Sequence, residues 1–383
     1  MTDEPEKAER SRQAEMLSAG KPTFLWQTTL NRLTDTVKLV MPPNNVVPVV
    51  FFPGIMGSNI MNKAGEPIWL LNKGVAGKPS GLAWMYYRKT AGFRQKALHP
   101  AKTAVYRNGS VPKEIAGTIR DHADYIGRGW GEVSEASYHD FLVWLEKKLN
   151  NAGLNPAEWP DFSYTSVSAA PRVGEPKAVP KLFPGIPMEM KGVPTTAESG
   201  HVIEAVMSDE LLKRAKCRFP VHAFGYNWLE SNERAAEKLR DRVNEVIAKY
   251  NHGAIHCSQV IIVTHSMGGL VSRACTLLDG MTEKIAGIVH GVMPATGAAV
   301  AYRRCKVGMG DEDAVSAIVI GADGRQVTAV FAQAPGALQL LPSQTYRLGW
   351  LKIKDEIGNT IEALPKVDPY TEIYCVKING GDW

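Results

Sequence analysis

Nowhere does this 383-residue chain collect the ~20 consecutive apolar residues of a membrane-spanning helix. A signal-peptide core is missing too, since Met1 to Gly20 is charged and polar. These absences predict cytoplasmic synthesis and, where export occurs, a signal-independent route. Any membrane surface is then met from water. Cysteine is scarce: Cys217, Cys257, Cys275, Cys305 and Cys375 make an odd number with no Cys-x-x-Cys pair. That excludes a disulfide scaffold and fits folding in a reducing compartment. No His/Cys/carboxylate spacing suits a metal, and no phosphate loop or dinucleotide fingerprint is present, so neither metal nor cofactor is expected. Concentrated Lys/Arg runs are also lacking. The 44 basic against 39 acidic residues leave +5, which argues against nucleic acid and suits an ordinary soluble surface or an anionic lipid surface.

What is present is an alternation of strands and helices. Val46-Val47-Pro48-Val49-Val50-Phe51-Phe52 reads as a buried strand that stops at Pro53-Gly54. Tyr138, Phe141, Leu142, Leu145 and Leu149 recur at helical spacing and predict a helix over 138–150. Phe219 to Phe224 is a short strand. Ser231 is an N-cap, and Ala236, Leu239, Val243, Ile247 and Tyr250 form one helical face to about 251. Val260-Ile261-Ile262-Val263 is the continuous apolar run of a strand in a parallel sheet. A helix from Met267 to about Leu278 and a strand from Ile285 to His290 follow. The class is α/β with a mostly parallel sheet and flanking helices. Residues 60–137 show little periodicity, and one amphipathic piece lies around Phe24–Val40.

The chemistry gathers at Thr264-His265-Ser266-Met267-Gly268-Gly269. A serine on a tight turn between an apolar strand and a helix stands clear of the sheet as a nucleophile. Gly268 supplies the small residue two positions after it. Thr264 stands where the usual pattern has glycine, so the turn is expected to be slightly more open there. The Met267 N–H, at a helix N-terminus, points at a developing oxyanion. A second donor is expected from Pro53-Gly54-Ile55-Met56-Gly57-Ser58-Asn59, with the Ile55 N–H as the choice. His265 reads as a neighbour packed beside the turn rather than as a base.

Phe52-Pro53-Gly54-Ile55-Met56-Gly57-Ser58 and the Ser266 turn resemble the lecithin:cholesterol acyltransferase-like branch of the α/β hydrolases. Arg128-Gly129-Trp130-Gly131, the Tyr138 helix and Phe224-Gly225-Tyr226-Asn227-Trp228 match as well. Gly291 to Gly297 and Pro335 to Pro342 look like bacterial lipase-like proteins of that branch, some of which resemble antibacterial lipase effectors of secretion systems. The resemblance runs from about 46 to 383. It implies an α/β-hydrolase-type fold with cap and lid insertions. It also implies a serine esterase, phospholipase or acyltransferase acting on lipid esters, with a lipid or other acyl-ester substrate and a secretion-system partner. A non-catalytic lipid- or partner-binding relative and a non-lipid carboxylesterase remain alternatives.

The expected organisation is a polar arm over 1–44, a core over 45–297 with an insertion at about 154–215, and a lid-like region over 298–383. A base is harder to find. The fold's order is serine, acid, histidine, yet His290 is the only histidine after Ser266, and it precedes the lid. The reading is that the last strands, with acid and base, are lacking, as in a fragment or a shortened gene. The rival is His290 as an unusual base with Asp368 or another carboxylate. Tyr302-Arg303-Arg304 reads as a solvated basic patch or a phosphate head-group contact. Trp69, Trp84, Tyr86, Tyr87 and Trp130 read as core, or as an acyl pocket or interface.

Overall fold

The computed structural model describes residues 43–71, 85–112, 122–151 and 217–375, save Ala254 and Asp313, together with short strands between residues 10 and 40. The expected insertion at about 154–215 lies outside the described residues. So does most of the polar arm, although Val37–Val40 is a strand paired in parallel with Arg10–Gln13.

Along the chain come β1 (Val49–Phe52), β2 (Ile60–Asn62), β3 (Pro67–Trp69), α1 (Ala91–Ala97), β4 (Thr103–Val105), α2 (His122–Gly127) and α3 (Glu135–Asn151). Then follow β5 (Val221–Ala223), α4 (Asn232–Tyr250), β6 (Val260–His265), α5 (Gly268–Thr276) and β7 (Ile285–Gly291). The main sheet has the order β5-β1-β6-β7, and every pairing in it is parallel. A parallel sheet needs helical crossovers, and α4 and α5 provide them between β5, β6 and β7. The predicted α/β architecture is therefore the observed one. The 60–137 stretch is more regular than its sequence suggested: β3-β2-β4 form an antiparallel side sheet. Three-residue strands are too short to write a period of two.

Alternation along β1 divides the core. Val50 and Phe52 face a cluster that holds Val260, Ile262, Leu239, Val243 and Val271. Val49 and Phe51 face a second cluster with Val221, Ala223, Trp130, Val133 and Leu142 of α3. Ser231 caps α4 by accepting from the Arg234 N–H, as predicted. On the α3 side the buried Arg128 guanidinium joins the Asp124 and Glu146 carboxylates and the Val221 carbonyl. It also lies over the Tyr125 and Trp130 rings. A charge so deep needs such partners, and this one ties α2, α3 and β5 together.

After β7 come α6 (Ala299–Val307), α7 (Ala314–Val319), α8 (Gly324–Phe331), α9 (Pro335–Leu338) and the hairpin β8 (Leu351–Lys354) and β9 (Thr360–Leu364). Ala301, Val327, Val330, Phe331 and Leu340 share the cluster of Phe52 and Ile262. A Cβ on Gly336 would meet the Glu230 and Trp228 carbonyls at 2.5 and 2.6 Å. The Trp228 loop leaves the carboxyl end of β5, so these helices stand at that end of the sheet. Among the described residues no strand pairs with the outer edge of β7, where Val289 is 58% exposed.

Candidate functional site

Ser266 lies between β6 and α5 with φ +50°. A residue with a Cβ adopts the left-handed region only where its surroundings impose it. Three contacts do so here. The Ser266 N–H donates to the Gly291 carbonyl at the end of β7 (2.8 Å), and the Gly269 N–H donates back to the Ser266 carbonyl (2.9 Å). Gly268 then passes against β1, where a Cβ would stand 2.5 Å from the Pro53 oxygen and 2.7 Å from that of Phe52. A Cβ on Gly269 would meet Met293 at 2.6 Å. The two glycines are what lets the chain turn within a sheet this tight.

Thr264 occupies the position of the missing glycine and is buried. Its Oγ1 hydrogen-bonds His290 Nδ1 at 3.0 Å, across the register pair Thr264↔His290. The larger side chain thus becomes a tie between neighbouring strands. His290 itself is exposed on β7, and burial followed by the Arg273 charge lowers its pKa. Among the described residues no histidine hydrogen-bonds Ser266 Oγ. The Asp368 carboxylate accepts from the Thr371 N–H and hydroxyl, both at 3.0 Å, just before and within the Tyr370–Tyr374 turn.

The loop after β1 comes up against this turn. A Cβ on Gly54 would lie 3.0 Å from Ser266 Cβ and 2.9 Å from His265 Nδ1. The loop is a β-turn closed by the Gly57 N–H to the Gly54 carbonyl (3.0 Å), with Met56 at φ +65°. Its strain is held from outside. The Met56 carbonyl accepts from Trp69 Nε1 (2.7 Å) and the Gly57 carbonyl from the Ser134 N–H (2.9 Å). The Gly54 N–H donates to the Tyr138 hydroxyl at 3.3 Å. The Ile55 and Met267 N–H groups donate to no described residue. They belong to the residues that follow Gly54 and Ser266, and α5 begins at Gly268 with its positive end toward the same place.

His265 is exposed at the end of β6, partial desolvation of its ring lowers its pKa, and its Nδ1 lies 3.0 Å from the Tyr138 hydroxyl. Tyr138 was foreseen as one position of a helical face, and nothing in its spacing marked it as a partner of the serine turn. The remaining candidates fall elsewhere. Arg303 pairs with Asp311 and Glu312 (2.6 and 2.9 Å), and Arg304 with Glu312 (2.7 Å). Trp69, Tyr86 and Trp130 are buried core, Tyr87 is exposed, and Trp84 lies outside the described residues. No group of described residues has the makings of a metal site. No described helix is long and apolar enough to cross a membrane.

A family model described as a PGAP1-like alpha/beta domain matches residues 183–307, which include β5, β6, the Ser266 turn and β7. Among solved structures, a chain of the crystal structure of the Tle4-Tli4 complex is similar over 88% of this chain, at 29% identity and a TM-score of 0.66. The present chain covers 64% of that chain's length. No curated protein sequence matches. Both matches agree with the α/β-hydrolase-type fold and with membership of that superfamily. The acyltransferase-like branch does not follow from them.

Proposed function

We propose that this α/β-hydrolase chain is a serine-dependent lipid ester hydrolase or acyltransferase, esterase- or phospholipase-like. The observation that carries the reading is the strained Ser266, at φ +50° on a turn that needs Gly268 and lies beside Gly54. Strain of this kind persists where it serves a site. In this reading Ser266 Oγ attacks the acyl carbonyl. The Ile55 and Met267 N–H groups receive the oxyanion, which strengthens as negative charge develops on that oxygen. An acyl-enzyme forms as the alcohol leaves, and water or a second alcohol then takes the acyl group. Lipid substrates are favoured by the sequence motifs of the acyltransferase-like branch, and a membrane surface and a secretion-system partner belong to the same proposal. The neighbour named in the Tle4-Tli4 complex was solved with a second protein, which supports looking for a protein partner here.

A second reading is favoured by one observation: no described histidine reaches Ser266. A serine without a base is weakly nucleophilic, and a non-catalytic lipid- or partner-binding role would then remain. One experiment separates the two. A fluorophosphonate is added to the protein, and intact mass and peptide mapping follow. Covalent modification at Ser266, abolished in Ser266→Ala, supports the enzyme reading. So does loss of turnover by ~10³-fold or more on a short-chain ester in that variant. An unmodified Ser266 beside a folded chain overturns it.

A further inference from the structure

We propose that Tyr138 is a positioning residue for the Ser266 site: its hydroxyl clamps the oxyanion loop, through Gly54, to the serine turn, through His265. The inference rests on the reading of Ser266 as nucleophile for its consequence, and on hydrogen-bond geometry alone for the clamp.

Three segments far apart in sequence meet at one oxygen. The Gly54 N–H donates to it at 3.3 Å from the loop after β1. His265 Nδ1 lies 3.0 Å away, on the residue before the nucleophile. The oxygen itself is carried by the first turns of α3, whose preceding residue Ser134 holds the Gly57 carbonyl. One helix start therefore grips both ends of the Gly54–Gly57 turn. Gly57 is glycine for the same reason, since a Cβ there would stand 2.7 Å from the Tyr138 hydroxyl.

Either tautomer of His265 keeps the bond to Tyr138. Tyr138 has one hydrogen and accepts from Gly54, so its hydrogen is available to His265. Where the hydroxyl donates to His265, Nδ1 is the acceptor and the ring carries its proton on Nε2; in the other tautomer Nδ1–H donates to the same oxygen, and the clamp stands either way. The tyrosine ring is wedged against Phe51 and His265, with centroids 4.9 and 5.8 Å apart. It cannot swing to another partner without leaving the Phe51 face. The hydroxyl thereby restrains the Pro53–Gly54 peptide, to which the Gly54 N–H belongs. The following peptide, which carries the Ile55 N–H, is joined to it through Gly54 and closed by the Gly57 N–H to the Gly54 carbonyl, so a restraint at one end bears on the aim of that N–H. An oxyanion donor displaced by even 1 Å loses much of its effect.

The test is Tyr138→Phe, which keeps the ring and deletes the oxygen. Amide hydrogen exchange over residues 53–58 reads the clamp without requiring turnover. Exchange roughly ten-fold faster at Gly54–Gly57, with the rest of the sheet unchanged, is the expected result, as for a local opening. Unchanged exchange in that turn overturns the proposal. The functional arm is the rate of fluorophosphonate modification at Ser266 and the split of kcat from KM on a short-chain ester. A drop of roughly ten-fold in both rates, with KM steady, is expected of a displaced donor, and equal rates overturn the positioning role. If the parent protein is not modified at Ser266, the nucleophile reading falls while the exchange result still decides the clamp. Should Tyr138→Phe fail to fold, His265→Phe frees the same hydroxyl from its histidine partner and is expected to speed exchange at Gly54 in the same direction. No change in that variant counts against the clamp.

Discussion

At the scale of single residues, the site is built from conformations that most side chains resist. Ser266 and Met56 both hold positive φ, and each sits where a glycine would be more comfortable. That comparison yields a measurement. Replacing Ser266 by glycine relieves the left-handed strain, whereas alanine keeps it. Ser266→Gly is therefore expected to unfold at higher denaturant than Ser266→Ala, by about 1 kcal/mol, while both lack turnover. A glycine variant no more stable than the alanine one would mean that the turn is unstrained. The Ser266 turn and its glycines were legible in the sequence because a strand, a turn and a helix announce themselves within a dozen residues. Tyr138 was not legible as a clamp. Its partners Gly54 and His265 lie 84 and 127 positions away, and pairings at that distance leave no local pattern.

At the scale of elements, the apolar strands β1 and β6 and the helices α3, α4 and α5 were read close to their observed bounds, because each writes its own hydrophobic period. The side sheet β3-β2-β4 was missed for want of length. The fate of His222 was missed because burial is a property of packing. This histidine on β5 is 2% exposed and shares a hydrogen bond with the Tyr250 hydroxyl of α4 at 2.9 Å. Burial holds its pKa well below the ordinary value, and the Arg128, Lys249 and Arg242 charges push the same way. The folded state then binds fewer protons than the unfolded chain once the pH falls below about 6.5. Stability is full above that value and declines toward the folded-state pKa. The melting temperature is expected to fall between pH 7 and pH 5, with a shallower slope in His222→Gln, which still reaches Tyr250. Parallel slopes in the two proteins would show that another group governs the decline.

At the scale of the whole molecule, the sheet is covered unequally. Phe52, Val260 and Ile262 are fully buried beneath α4 and α5, while Ile261 and Val263, on the opposite face of β6, are only partly covered. Beside them Val289 is 58% exposed, and Val292 just past the strand is 77% exposed. The strand Ile-Ala-Gly-Ile-Val-His-Gly carries no lysine or proline to discourage pairing with another strand. Concentration-dependent self-association through this edge is the expected outcome. Val289→Lys should raise the concentration at which light scattering appears, leaving Ser266 modification unaffected. Association that is indifferent to the substitution would place the sticky surface elsewhere.

The sheet order also sets a timetable. β1 lies between β5 and β6, strands that the ribosome delivers long after it, and the Tyr226 N–H finds Ser58 Oγ across 168 positions. Contacts of such separation must offset a large loop-closure entropy before they reward the chain, so they form late. The Ser266 turn depends on them, because Pro53 and Gly54 follow β1 and Gly291 ends β7. The nascent chain can thus possess its helices, and much of its compactness, while the serine is still an ordinary alcohol. In the proposed reading, reactivity arrives only when β1 and β7 have both paired with β6.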